Sequence, residues 1–165
     1  MIKSIIIVLA AIKPDTFRVE RSASIKAPSE NIYPLINDFH SWQIWSPWEK
    51  IDPAAKTTHS GAASGVGAVY EWDGNSELGA GRMEILEAAF PAKIVLKIDF
   101  IKPFEVHNSI EFTLLRQDDS TTVTQAMYGS SPYLGKLMGL FFSLDKMVGA
   151  KYEEGLANLK TLAEK

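Results

Sequence analysis

The chain has 165 residues, 46% of them hydrophobic and 22% charged, which is enough for one domain with a sizeable core and too apolar for disorder. A net charge of −3 leaves no basic face on which phosphates could release counterions, so nucleic acid is not an expected partner. The absence of cysteine removes disulfides, thiolate metal sites and a cysteine nucleophile together.

The chain begins MIKSIIIVLAAIKP, with eight consecutive apolar residues from Ile5 to Ile12. A spanning helix needs about 20 such residues, and Lys13-Pro14 follow at once. Residues 1–14 therefore read as a hydrophobic N-terminal segment ahead of a single domain over 15–165. Three readings of that segment stay open: a tail or β-rich extension, a shortened membrane anchor, or a signal segment. The expectation is a cytoplasmic protein, with weak membrane association through residues 2–12, or export, as the alternatives.

After Pro14, FRVERSASIKA places Phe17, Val19, Ala23 and Ile25 on one parity and Arg18, Glu20, Ser22, Ser24 and Lys26 on the other. That alternation marks an amphipathic strand. Pro28-Ser29-Glu30 then opens a short helix over 28–37, with Ile32, Leu35 and Ile36 at helical spacing. Pro34 inside it cannot donate to the Glu30 carbonyl and predicts a kink or a 3₁₀ stretch. The next segment, FHSWQIWSPWEK, reads as one or two further short turns broken by Pro47 and holds three of the four tryptophans, Trp42, Trp45 and Trp48. A buried indole removes a large apolar area from water but keeps an N–H that needs a partner. Such a segment suits a core lid or the wall of an apolar cavity.

From Pro53 onward the period is two, with turn residues between the runs, and six strands are expected near 53–59, 66–73, 80–89, 92–100, 105–116 and 120–129. Short loops between them imply an antiparallel meander. Gly65-Val66-Gly67 and Gly79-Ala80-Gly81 resemble phosphate loops only superficially, because both lead into strands and neither opens a helix. Beyond Ser131-Pro132 the period returns to 3.6, with Leu137, Phe141, Leu144, Val148, Leu156, Leu159 and Leu162 along one side of a long amphipathic helix. Gly135, Gly139, Gly149 and Gly155 each lower its propensity by about 1 kcal/mol relative to alanine, so they predict either a close approach to the sheet or a bend.

This order of elements describes an α+β domain in which the long helix lies across the concave face of a curved sheet of about seven strands, because each has one apolar face to bury. Together with NDFHSWQIWSPWEK, GVGAVYEWDGN, GRMEI and the terminal MYGSSPYLGKLMGLFFSLDKMVGAKYEEGLANLKTLAEK, it resembles the polyketide cyclase/dehydrase and lipid-transport family of the START-related (SRPBCC) superfamily over residues 17–165. The resemblance implies a helix-grip fold enclosing an apolar cavity. Members of that superfamily include lipid and hormone carriers, aromatic-ring cyclases and co-chaperone-like modules, so function must be argued from a site.

Strand parity supplies the candidate cavity wall. It comprises Tyr70 and Trp72, Met83 and Ile85, Leu96, Ile98 and Phe100, Ile110, Phe112 and Leu114, and Val123 and Met127. The terminal helix adds Leu137, Phe141, Leu144, Val148 and Tyr152, and the connecting segment adds Trp42, Trp45 and Trp48. Two polar residues, Asn108 and Gln125, fall on the inward parity, where each must find a partner or face a polar part of a ligand. Arg82, Glu84, Lys97, Asp99, Glu111 and Glu71 take the opposite parity, a solvated outer face. His40, His59 and His107 are scattered, without metal-ligand spacing, so neither a metal nor a cofactor is expected. His40, beside the tryptophans, is the titratable group to test as an acid or base.

The expected function is non-catalytic binding of a lipid-like or aromatic small molecule between sheet and helix, with the tryptophan segment as a flap hinged near Pro47. Two alternatives stand beside it. One is a cyclase or dehydratase-like enzyme in which His40, Asn108 or Gln125 orients or deprotonates the substrate. The other is an interaction module whose groove receives a partner segment. None of these motifs encodes the ligand's identity or the oligomeric state.

Overall fold

A computed structural model describes residues 16–130 and 138–165, with side-chain surroundings in the last helix given from Asp145 onward. The apolar segment at 1–14, the Ser131-Pro132 opening of the terminal helix, and the side chains of Leu137, Phe141 and Leu144 lie outside the described residues. Strand β1 (Thr16–Ile25) leads into helix α1 (Ser29–Asn37), helix α2 (Phe39–Trp45) and a 3₁₀ turn, Pro47–Lys50. Strands β2 (Lys56–Gly61), β3 (Ala68–Asp73), β4 (Ala80–Ala89), β5 (Lys93–Lys102), β6 (Val106–Gln117) and β7 (Ser120–Ser130) follow, and helix α3 (Met138–Ala163) ends the chain.

The seven strands form one antiparallel sheet in the order β1-β7-β6-β5-β4-β3-β2. The meander expected from the period-two runs is thus observed, and β1 completes it by pairing with β7, Val19 opposite Met127 and Arg21 opposite Gln125. The register shift between Ile85 and Glu87 places a bulge in β4, and bulges bend the strand that carries them. β2 starts at Lys56 and not at Pro53, because the Asp52 carboxylate and carbonyl accept from the Ala54 and Ala55 amides and hold 52–55 as a turn. Gly61, Gly65, Gly67 and Gly79 all have positive φ, so the two glycine-rich loops are turns that only glycine enters without strain.

Asp38 separates the two short helices. Its backbone is extended (φ −125°, ψ 113°), and its carboxylate accepts from the His40 amide at 2.9 Å as the N-cap of α2. Of the kink or 3₁₀ stretch expected at Pro34, the 3₁₀ stretch is not observed, since α1 is α-helical throughout. Pro34 lies only a turn and a half into the helix, where losing the one bond to Glu30 is outweighed by burying Ile32, Tyr33 and Ile36. The tryptophan segment is a seven-residue α-helix followed by the 3₁₀ turn, with Pro47 at the turn's first position.

α3 packs on β1 and on the short helices. Val148, Tyr152, Leu156 and Leu159 are buried on its sheet side. Of the outcomes predicted for its glycines, close approach to the sheet is observed at Gly149, whereas Gly155 lies against the tryptophan segment, and the surroundings of Gly135 and Gly139 lie outside the described residues. A Cβ at Gly149 would collide with the Arg21 guanidinium, and one at Gly155 would lie 3.2 Å from Pro47 Cδ and 3.5 Å from Trp45 Cζ3. Arg21 bridges to Asp145 at 3.1 Å and Glu153 at 2.9 Å, one turn on either side of Gly149. Asn158 Nδ2 donates to the Trp45 carbonyl at 3.0 Å and Lys160 Nζ to the Ser24 carbonyl at 3.1 Å, so α3 is held along its described length.

Candidate functional site

The pairing register arranges the helix-facing residues in transverse rows. One row runs His59–Tyr70–Met83–Ile98–Asn108 from β2 to β6, and beside it toward the sheet end lies Trp72–Gly81–Phe100. On the other side come Ile85–Leu96–Ile110–Met127–Val19 and then Ile94–Phe112–Gln125–Arg21. The two rows that reach β1 join the first strand to the last, and the other two cross consecutive strands of the meander.

The rows at the two ends differ in what covers them. Over Phe112 and Gln125 sits the tryptophan helix. Trp42 and Trp45 are 6% and 2% exposed, with ring centroids 5.8 and 6.2 Å from Phe112 at edge-on angles. Their indole N–H groups donate to the Ile36 and Leu35 carbonyls, both at 2.8 Å. Satisfied in this way, the two indoles are built into the core, while Trp48 remains partly exposed. The gap left among Trp42, Trp45, Trp48, Gln125 and Tyr152 is about 10 Å³, no more than one water requires. The Gln125 Oε1 facing this end has no partner among the described residues.

The opposite end is lined by Tyr70, Trp72, Met83, Phe100, Asn108 and Met127. Trp72 lies over Gly81 and edge-on to Phe100 at 6.1 Å, and the Asn108 amide lies over Gly129. In both places the missing side chain makes room for the larger neighbour. Trp72 and Phe100 are partly exposed, whereas Tyr70, Met83, Asn108 and Met127 are buried. Among the described residues Asn108 Nδ2 reaches only Met127 Sδ, at 3.8 Å. Asn108 Oδ1 and Trp72 Nε1 are buried without a partner among the described residues. An aromatic chain, Phe100–Trp72–Tyr70–Phe39–Trp42, connects this end to the core.

A cluster that spacing did not reveal sits where α2 meets β2. His40 and His59, expected to be scattered, stack with ring centroids 4.0 Å apart and planes 14° from parallel. His40 Nδ1 bonds the Asp38 carboxylate at 2.8 Å, and Tyr70 Oη donates to Glu49 Oε1 at 2.9 Å. Both nitrogens of His59 are buried without a partner among the described residues. Burial, and then the neighbouring His40, pulls the His59 pKa below its ordinary value, so its ring is neutral at neutral pH. Burial and then the Glu49 charge push the Tyr70 phenol far above the usual tyrosine range. Among the described residues no group of three or more His, Asp or Glu could hold a metal ion.

Arg21 is the residue that reading by composition missed. It occupies the apolar parity of β1 with Phe17, Val19, Ala23 and Ile25, and a lone charge on an inward parity was the available signal. A separate, open concavity of about 480 Å³ lies outside the sheet, between α1, the start of α2 and the end of β4, with Tyr33, Asn37, Ser64 and Phe90 on its walls. No sequence pattern announced it, because its walls come from three separate elements.

Solved structures share this fold. A protein of Chromobacterium violaceum superposes with a TM-score of 0.63 at 16% identity, over 93% of this chain and 99% of its own. The di-domain ARO/CYC StfQ from the steffimycin biosynthetic pathway gives 0.70 at 13% identity over 90% of this chain, which spans 51% of that protein. Ara h 8.0201 gives 0.63 at 11% identity, over 90% and 97%. At such identities the likeness establishes the fold alone. A search of curated proteins finds no match. A family model described as polyketide cyclase / dehydrase and lipid transport matches residues 16–164.

Proposed function

The chain belongs to the polyketide cyclase/dehydrase and lipid-transport family, and from that premise we propose that it binds a hydrophobic small molecule, lipid-like or aromatic, between the concave face of the sheet and α3. The ligand rests on the rows Trp72–Gly81–Phe100 and Tyr70–Met83–Ile98–Asn108. It does not rest under the tryptophan helix, where Trp42, Trp45 and Phe112 already fill the space. The observation that carries this reading is the pair of buried polar atoms, Asn108 Oδ1 and Trp72 Nε1, without a partner among the described residues in a largely apolar wall. An unpaired buried polar group costs about 1–3 kcal/mol. A ligand with an apolar body, one hydroxyl or amine donor and one carbonyl acceptor recovers that cost at both atoms.

Native mass spectrometry of the freshly purified protein, followed by organic extraction, tests the proposal. A discrete added mass that reappears as a molecule of this description supports it, and replacing Asn108 with Leu should then weaken retention of that molecule about tenfold. If the protein carries no added mass, and a panel of fatty acids and hydroxylated aromatic ketones leaves its melting temperature unmoved, the reading fails. An enzymatic reading is favoured by one observation, the neutral and unpartnered His59 imidazole beside Tyr70, which is placed as a base would be. It predicts turnover that His59→Gln abolishes while binding persists.

A further inference from the structure

His59 stands at the head of the row Tyr70–Met83–Ile98–Asn108, on β2, and among the described residues β2 has no strand beside it but β3. Titratable side chains surround its imidazole. From α2 comes His40, stacked on it at 4.0 Å, and from the N-cap of α2 comes Asp38, already bonded to His40 Nδ1 and to the His40 amide. The 3₁₀ turn contributes Glu49, and β3 contributes Tyr70, whose ring lies 5.1 Å from His59 and whose hydroxyl donates to Glu49 Oε1. Both carboxylates that act on His59 are therefore engaged by other donors.

An imidazole in that setting is stable only without charge. Both of its nitrogens are buried without a partner among the described residues, and a protonated ring would bring two N–H donors and a full charge into the same space. Burial first and His40 second hold the proton off, and the attraction of Glu49 and Asp38 does not compensate. Exposed to water, the same ring takes up its proton at about pH 6.5. The packed arrangement thus binds the proton more weakly than an opened one, so its advantage is complete above about pH 6.5 and shrinks as pH falls toward the lower packed value. The fold decides which side yields. α2 is held by the indole bonds of Trp42 and Trp45 and by the bond from Asn158 to the Trp45 carbonyl. β2 is a short edge strand in which every residue except His59 is exposed.

We propose that the His40–His59 stack is an acid-operated latch: charging of His59 at mildly acidic pH frees β2 from α2, uncovers Tyr70 and opens the hydrophobic ligand site along its β2 edge. The latch belongs to the ligand-free fold, whereas its consequence, release, rests on the ligand-binding reading above. Local opening of an edge strand needs far less than global unfolding, so the rest of the sheet stays paired.

Hydrogen exchange of the ligand-free chain, corrected for the intrinsic effect of pH on exchange, reads the latch directly. Between about pH 7.5 and about pH 5, protection of the amides that join β2 to β3 should fall about tenfold, while those joining β6 to β7 keep theirs. Release is read with N-phenylnaphthylamine, an uncharged probe with the apolar body and amine donor proposed for the ligand. Its dissociation rate should rise about tenfold over the same range. In His59→Gln, whose amide stays neutral, both changes should shrink to less than about twofold. Should that variant misfold, His40→Gln serves, because its side chain is 57% exposed and its loss removes one of the two causes that keep His59 neutral, so both changes should be smaller than in the wild type. Equal β2 protection at the two pH values would overturn the latch, and so would a folded His59→Gln that responds as strongly as the wild type. A probe that binds and leaves at one rate at both pH values would overturn the gating. A probe that does not bind at about pH 7.5 counts against the ligand reading, and β2 protection then decides the latch by itself.

Discussion

Arg21 shows how much a single side chain decides. Its guanidinium sits on Gly149 and joins Asp145 and Glu153, so one residue of β1 sets where α3 crosses the sheet. With the Arg21 side chain 26% exposed, Arg21→Ala should cost about 1–2 kcal/mol in urea unfolding, from lost charged hydrogen bonds and lost packing of its stem. A second residue-scale prediction concerns His107. The hydrogen bond that His107 donates to the Asp99 carboxylate, only partly opposed by desolvation, raises the His107 pKa, with Glu105 adding to it. Burial pushes Asp99 up, but the bonds from His107 and Lys97 outweigh it and leave Asp99 below its ordinary value. The histidine's contribution is complete below its unfolded pKa of about 6.5 and is lost as pH rises through its higher folded value. The aspartate's is complete above about 3.9 and is lost as pH falls through its lower folded value. The stability gap between wild type and His107→Ala should therefore be wider at about pH 5.5 than at about pH 9, and equal gaps would refute the pairing.

At the scale of elements, the tryptophan helix and α3 carry the sharper tests. A hinged flap would have to break the bonds from the Trp45 N–H to Leu35 and from Asn158 to the Trp45 carbonyl. Trp45→Ala should accordingly lower stability by about 3–5 kcal/mol, the range for a core aromatic, and Trp48→Ala by less than half as much. Comparable losses would mean that the two indoles are packed alike. Gly149→Ala separates helix propensity from packing. In the wild type the added methyl displaces the Arg21 guanidinium and should destabilise. In the Arg21→Ala background the same change should stabilise, by up to about 1 kcal/mol. A double-mutant cycle without this change of sign would show that the contact does not set the spacing of α3 and β1.

For the molecule as a whole, ligand binding is linked to folding. A ligand at about 100 times its dissociation constant adds about 2.7 kcal/mol and should raise the melting temperature of a domain this size by about 5–10 °C. Asn108→Leu should melt no lower than the wild type without ligand, since it removes an oxygen buried without a partner among the described residues, and should lose most of the ligand-dependent rise. A variant that melts lower and keeps the full rise would place the ligand elsewhere. Among the described residues no helix is long and apolar enough to cross a membrane.

Local pattern settled the elements and their faces. Period-two runs between turn residues placed β3 to β7 within two residues of their observed ends, and the return to a 3.6 period located the terminal helix, because each signal is carried by neighbours in sequence. The inward parity of Tyr70, Met83, Asn108, Phe112, Gln125 and Met127 was equally legible, and all six are buried. Tertiary structure alone decided which of them share a row, because the register between strands joins residues such as His59 and Asn108 that no local pattern relates. It also decided that Trp42 and Trp45 cover Phe112 at one end of the concave face while Trp72, Phe100 and Asn108 line the other, and that His40 meets His59. Periodicity reports which way a side chain points, whereas the space in front of it depends on the rotamers and neighbours that only the packed chain supplies.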